Sequence, residues 1–309
     1  MARKHTGKAK QRARRSARGI NRDQEALGVF DGLCREVLAT QGREVLASHD
    51  PLQAEMWVSH LLGVFGGLPI VGQPDPVAAV GGRLVSAARR SPTPQAQMCL
   101  RALAAVAGGL LGRRAETAAQ QLGASRLAAP RWIDAIGTAE PTTAWRATDL
   151  WGDQDGIMIG FAYPDRDEHT LVVLVDHPLG GIAKDAAVLG PLAEVVRGWQ
   201  ETSDTDLVEE PVEVAAARVV EAVDSTTRTV DPPVTEDYND TQALLRARLA
   251  PLAAALPGDE PLSYEDREAL VRLSRARPTA VEQRRCVVVP PRLGAPEALG
   301  APPDLGPHA

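Results

Sequence analysis

The residues most able to do chemistry lie in one short stretch, Asp165 to Asp185, which reads DRDEHTLVVLVDHPLGGIAKD. Asp176 and His177 close a β-branched apolar run, and Lys184 and Asp185 stand just past a Pro178-Leu179-Gly180-Gly181 turn signal. A hairpin over this stretch brings the four within about one side-chain length, as a base-orienting or ligand-binding cluster. Strand geometry works against it. Adjacent residues point to opposite faces, so Asp176 and His177 share a site only across a bulge. Asp-His-Pro before Gly-Gly is also turn chemistry, with the Asp accepting local backbone bonds.

A second set is electrostatic. Residues 1–22 hold nine of the chain's 34 bases and none of its 40 acids, leaving 25 bases against 40 acids, a net of −15, in the rest. Within this arm Lys8, Lys10, Arg12, Arg14, Arg15 and Arg18 are spaced to neutralise phosphates without reading bases. No aromatic is interleaved, so base stacking has no support. The arm reads as disordered, for want of apolar surface to bury. It equally suits a solvated tail or one that folds back on the acidic body.

Other constellations carry less. His169 and His177 share strand parity but stand eight residues apart, about 26 Å at ~3.3 Å per residue, too far to hold one metal. Asp153-Gln154-Asp155-Gly156, with Asp165, Asp167 and Glu168, reads as scattered loop carboxylates and misses the calcium-loop spacing. His60 falls on an apolar helix stripe and reads as a core histidine. Ser48-His49-Asp50 has triad residue types, but triads assemble in space and not in sequence. There is no G-x-S-x-G, P-loop or helix-opening G-x-G-x-x-G, so no cofactor and no metal is called for. Cys34, Cys99 and Cys286 are odd in number, widely spaced and without C-x-x-C, which points to a reducing cytoplasm. The longest uncharged apolar run is too short to cross a bilayer, and the basic arm lacks the apolar core of a secretory signal.

The run Leu174 to Ala186, with Glu168-His169, Leu171-Val172, Ala144-Trp145-Arg146 and Gly152-Asp153, resembles a segment of uncharacterised hypothetical proteins of high-GC bacteria. The resemblance spans residues 130–190 and implies no activity.

The elements that must position these residues follow from periodicity. The chain has 309 residues, 44% of them hydrophobic and only 4% aromatic, so Ala, Val and Leu must build the core. Residues 23–137 read as helical. Phe30, Cys34, Val37 and Leu38 make one stripe, and Trp57, His60, Leu61, Val64 and Phe65 a second. Val77, Val80, Leu84 and Ala88 make a third, and Cys99, Leu103, Val106 and Leu110 a fourth. Asp50-Pro51, Asp75-Pro76 and Thr93-Pro94 each set a capping side chain before a proline at the first helical position. Residues 138–190 change period, within an α+β region of 138–224. Strands are predicted over Gly156–Tyr163, His169–Val175 and Ile182–Leu189, with Trp145–Trp151 as an edge, in an antiparallel meander. The 169–175 strand is apolar on both faces and reads as central. Val212, Ala216, Val219, Val220 and Val223 mark a helix. Residues 225–240 read as a linker and 241–277 as C-terminal helices, with Pro251 a break and Ser263 and Asp266 starting a helix to Arg275. Residues 278–309 read as a disordered Pro/Gly-rich tail.

The expected fold is therefore α+β, with a helical N-terminal part, a small antiparallel meander and a helical C-terminal part. The expected function is a cytoplasmic binding or scaffold protein, meeting nucleic acid or another acidic partner through its basic arm. The alternative is a ligand-binding or hydrolase-like enzyme with its site at Asp176, His177, Lys184 and Asp185.

Overall fold

The three capping signals start three helices. In a computed structural model that describes residues 30–66, 75–124, 129–166, 168–202 and 205–255, Asp50 Oδ1 accepts from Leu52 N at 2.9 Å, Asp75 Oδ1 from Ala78 N at 2.9 Å, and Thr93 Oγ1 from Ala96 N at 3.2 Å. Each proline takes the first position, where its missing N–H costs no hydrogen bond. The helical N-terminal part comprises α1 (30–39), α2 (Gln41–Ser48), α3 (Pro51–Gly66), α4 (Pro76–Arg90), α5 (Pro94–Val106) and α6 (Gly109–Gly123), then a 3₁₀ turn at Arg131–Ala135.

The expected stripe on α3 is rotated. Ala54, Val58, Leu61, Leu62 and Phe65 are buried, as are Glu55 and Ser59, whereas Val64 is exposed. His60 is not a core histidine. It stands at the surface with Nδ1 2.8 Å from Asp240 Oδ2. Counting apolar residues cannot see a polar side chain whose partner comes from a distant helix. Ser59 Oγ donates to Asp240 O at 2.6 Å and accepts from Leu244 N at 3.1 Å, nearly two hundred residues away in sequence. The fourth stripe also ends early. α5 stops at Val106, and Leu110 belongs to α6, where it is exposed.

The middle of the chain forms one antiparallel sheet, in the order β4-β3-β2-β1-β5. Its strands are β1 (Glu140–Thr148), β2 (Gln154–Ala162), β3 (Glu168–Asp176), β4 (Ile182–Leu189) and β5 (Asp206–Glu210). The meander is as expected, but two placements differ. β1 is no edge, since it lies between β2 and the acidic β5. β2, not β3, is central, and β3 is fully buried on one face only. On that face Leu171, Val173 and Val175 join Ile157, Ile159 and Phe161 in the main core. On the other, Val172 packs with Met158 against α7 (Leu192–Thr202). Trp199 of α7 lies so close to Gly156 that a Cβ there would come 2.6 Å from the ring.

The C-terminal side adds α8 (Val212–Arg228) and α9 (Glu236–Ala255). The expected linker over 225–240 shrinks to 229–235, because Thr226 is buried and bonded to Ala183 on both its backbone groups and Thr235 caps α9 by accepting from Tyr238 N at 3.1 Å. α9 continues through Pro251. The burial of Leu244, Leu245 and Leu249 within the two turns before it anchors the helix, and the proline forgoes only one backbone bond. The expected helix to Arg275, the tail 278–309 and the arm 1–22 lie outside the described residues. Among the described residues no helix is long and apolar enough to cross a membrane.

Candidate functional site

The β3–β4 turn is built as its sequence suggests. Gly180 and Gly181 adopt φ of 91° and 70°, where an L side chain is strained. Asp176 Oδ1 accepts from Leu179 N at 3.1 Å. The turn is tied to the neighbouring β1–β2 turn by His177 N donating to Asp153 O at 2.9 Å.

The four side chains expected to converge do not. His177 goes one way, its Nε2 3.0 Å from Asp155 Oδ2. Asp176 goes the other, and its Oδ2 accepts from Lys184 Nζ and Gln154 Nε2, both at 3.3 Å. A bulge meets Lys184, since Leu174 pairs with Asp185 and Val175 with Ala183. That extra residue lets Lys184 reach Asp176 and turns Asp185 away. Asp185 Oδ1 instead accepts from Thr235 Oγ1 at 2.5 Å and its own neighbour Ala186 N at 2.9 Å, at the start of α9. The nucleic-acid candidates Lys8, Lys10, Arg12, Arg14, Arg15 and Arg18 lie outside the described residues.

What His177 meets was misassigned in the sequence. Asp155 is no loop carboxylate. It is the second residue of β2, shares the core-facing parity of Ile157, Ile159 and Phe161, and is only 6% exposed. That parity was its available signal. Thr148 Oγ1, opposite it on β1, donates to Asp155 Oδ1 at 2.6 Å, and Arg146 Nη1 stands at 3.4 Å. The charges continue across the sheet. Glu210 Oε2 lies 3.6 Å from Arg146 Nε and 3.5 Å from Arg218 Nε. Sign alternates along His177, Asp155, Arg146, Glu210 and Arg218.

α8 roofs this row. Arg218, Glu221, Ala222 and Ser225, at i, i+3, i+4 and i+7, line a cavity of about 210 Å³ together with Asp155, His177 and the Gly180-Gly181 backbone. The signal of Arg218, Glu221 and Ser225 was a polar stripe flanking the apolar Val219/Val223 one, which sequence alone reads as a solvated face.

The electrostatics favour an ionised pair. The hydrogen bond to Asp155 raises the His177 pKa above the ordinary imidazole value; partial burial opposes this, and the charges of Asp155, Asp149 and Asp176 add to it. Burial pushes the Asp155 carboxyl up, but hydrogen bonds from His177 and Thr148 and the Arg146 charge outweigh it, leaving the pKa below the ordinary carboxylate value. A carboxylate only accepts, so Nε2 carries a proton and Nδ1 is the atom that gains or loses one. The dyad can thus present a positive charge or exchange a proton.

A second polar cluster is sealed inside, where α3, α9 and the sheet meet. Arg248 Nη2 lies 2.5 Å from Glu55 Oε2 and 2.7 Å from Tyr163 Oη, and Gly137 N donates to Glu55 Oε1 at 2.7 Å. His169 stacks between Phe161 and Tyr163, with centroids 6.1 and 5.5 Å away, and neither ring nitrogen has a hydrogen-bond partner. Among the described residues no group of three or more His, Cys, Asp and Glu side chains is placed to hold a metal.

No family model, curated protein or solved structure matches the chain.

Proposed function

We propose that the chain is a binding protein for a small amphoteric molecule, of amino-acid or hydroxy-acid size, held in the cavity beneath α8. The observation that carries this is the Asp155–His177 pair lining a cavity shared with Arg218, Glu221 and Ser225. The cavity is smaller than the roughly 300–1,000 Å³ of drug-sized pockets. Its polar groups carry both signs, so a ligand with one carboxylate and one donor finds partners for each. His177 and Arg218 suit the carboxylate; Glu221 suits an ammonium or hydroxyl. His177 also makes binding pH-dependent, because its positive charge is lost as pH rises through its raised pKa. This narrows the hairpin-site reading to one of its four residues, His177, and gives it new partners.

The test is thermal unfolding against a panel of free amino acids and hydroxy acids. A ligand at about a hundred times its Kd stabilises by ~2.7 kcal/mol, a shift of several degrees in Tm. The shift is expected to vanish in His177→Ala and Arg218→Ala, and to shrink with rising pH in the parent. No shift with any compound, or an equal shift in both variants, rules the reading out.

A further inference from the structure

A second concavity lies on the helical N-terminal part of the molecule. α4 and α6 run side by side, and between them is a trough of about 490 Å³. Three arginines edge it, Arg89 from α4 and Arg113 and Arg114 from α6. Other arginines of this helical part face acids. Arg83 and Arg90 reach Asp31 at 2.9 and 3.7 Å, and Arg101 reaches Asp134 at 3.8 Å. None of the three trough arginines has an ion pair among the described residues, and no acid lines the trough.

The trough is half apolar. Val85 and Ala118 form a buried floor, and Leu110 stands 56% exposed at one end. The hydroxyls contribute no positive edge, because Ser86 Oγ donates to Gly82 O and Thr117 Oγ1 to Arg113 O within their own helices. From Leu110 to Gln121 the groove spans about 16 Å of helix at ~1.5 Å per residue, or three turns.

We propose that this trough docks an acidic, amphipathic peptide segment of a partner protein, its apolar residues on Leu110 and the Val85–Ala118 floor and its carboxylates on Arg89, Arg113 and Arg114. Arginine forks pair with carboxylates in two-point geometry and are over-represented among the residues that carry binding energy. The exposure of all three arginines and Leu110 makes this an open trough. A small ligand is usually mostly enclosed, whereas a helix laid in a groove is not. No aromatic side chain lines it, so a single-stranded nucleic acid would find no stacking surface. The net −15 of the chain beyond residue 22 repels an acidic partner elsewhere, which makes this unneutralised basic patch selective.

The experiment uses the full chain and a fluorescent amphipathic peptide of about 14 residues built from Glu and Leu at helical spacing. Fluorescence anisotropy is expected to give saturable binding that weakens with salt. Arg113→Glu with Arg114→Glu should weaken it about tenfold or more, and so should Leu110→Ser, which changes no charge. All three positions are exposed, and Arg113→Gln serves as a milder variant should the reversal unfold the chain. A scrambled peptide of the same composition should bind at least tenfold more weakly, which separates the trough from simple attraction to the basic arm. Several results overturn the proposal: no binding up to about 1 mM, equal binding of the scrambled peptide, or equal binding by the variants. Displacement of the peptide by oligothymidylate or pyrophosphate, lost in the same variants, also overturns it in favour of a nucleic acid or a free phosphate.

Discussion

The two charged clusters on the sheet are built from the same residue types and do opposite things. At the open end His177 pairs with Asp155 beside a cavity, and Arg146, Glu210 and Arg218 extend the row to the surface. At the sealed end Arg248 pairs with Glu55 and Tyr163, while His169 lies between two rings. Water decides the difference. Partial exposure lets His177 gain a proton and keep it through a hydrogen bond, so its pKa rises. Burial denies His169 that charge, and the nearby Arg248 cation opposes it further, so its pKa falls to about 4. One histidine is a group that can change state in the working protein. The other stays neutral, stacked on Phe161 and Tyr163.

The largest expected effect breaks the sealed cluster. Arg248→Ala strips the buried Glu55 carboxyl, whose pKa burial already raises, of the cation that opposes that shift, and should cost about 3–5 kcal/mol in urea denaturation. Replacing both residues, Glu55→Leu with Arg248→Met, should restore much of that loss. If the double variant is no more stable than the single one, the pair is not the cause.

The next effect is acid sensitivity. The unfolded chain binds a proton at His169 near the ordinary 6.5, and the folded chain only near 4. Between those values the unfolded state holds more protons, so stability falls as pH drops through that window, by roughly 3 kcal/mol. His169→Phe keeps a ring in the stack and should flatten this part of the pH–stability curve. An unchanged acid limb would place the proton uptake elsewhere.

At the open end the same measurement should show a smaller effect of the other sign. His177 has a raised pKa, so its contribution is complete below about 6.5 and is lost as pH rises through the raised value. Asp155, with a lowered pKa, contributes above the ordinary 3.8 and loses this as pH falls through its lowered value. Solvent screening keeps the His177 effect small, and His177→Ala should cost about 1 kcal/mol. Imidazole titration by NMR should place His177 above and His169 below the free value; the reverse order would undo the comparison.

The smallest effect belongs to Lys184→Ala, which removes a half-exposed partner of Asp176 and should cost at most ~1 kcal/mol. A larger loss would mean that the hairpin bulge, and not the cavity, holds this end of the sheet.

Much of the architecture was legible because it is local. Proline after a capping Asp or Thr at the head of an apolar stripe starts α3, α4 and α5, whereas Asp231-Pro232, with no such stripe behind it, opens no helix. The β-branched run 169–175 and the Gly180-Gly181 turn fix a hairpin through backbone sterics alone, and the meander follows from loops too short for anything else. The charge asymmetry and the α+β order were likewise plain in the chain itself.

What tertiary structure decided was which polar groups meet. The α3 stripe rotated because Ser59 and Glu55 found partners on α9, residues that no local pattern links to them. His177 paired with Asp155, and not with Lys184 or Asp185, because strand parity set its direction and one bulged residue diverted the others. The cavity exists only where α8 crosses that end of the sheet. Backbone preference and apolar spacing act over a few residues and are written in the chain. A hydrogen bond between side chains needs its two ends within about 3 Å, and only the folded chain brings Asp155 to His177 or Glu55 to Arg248.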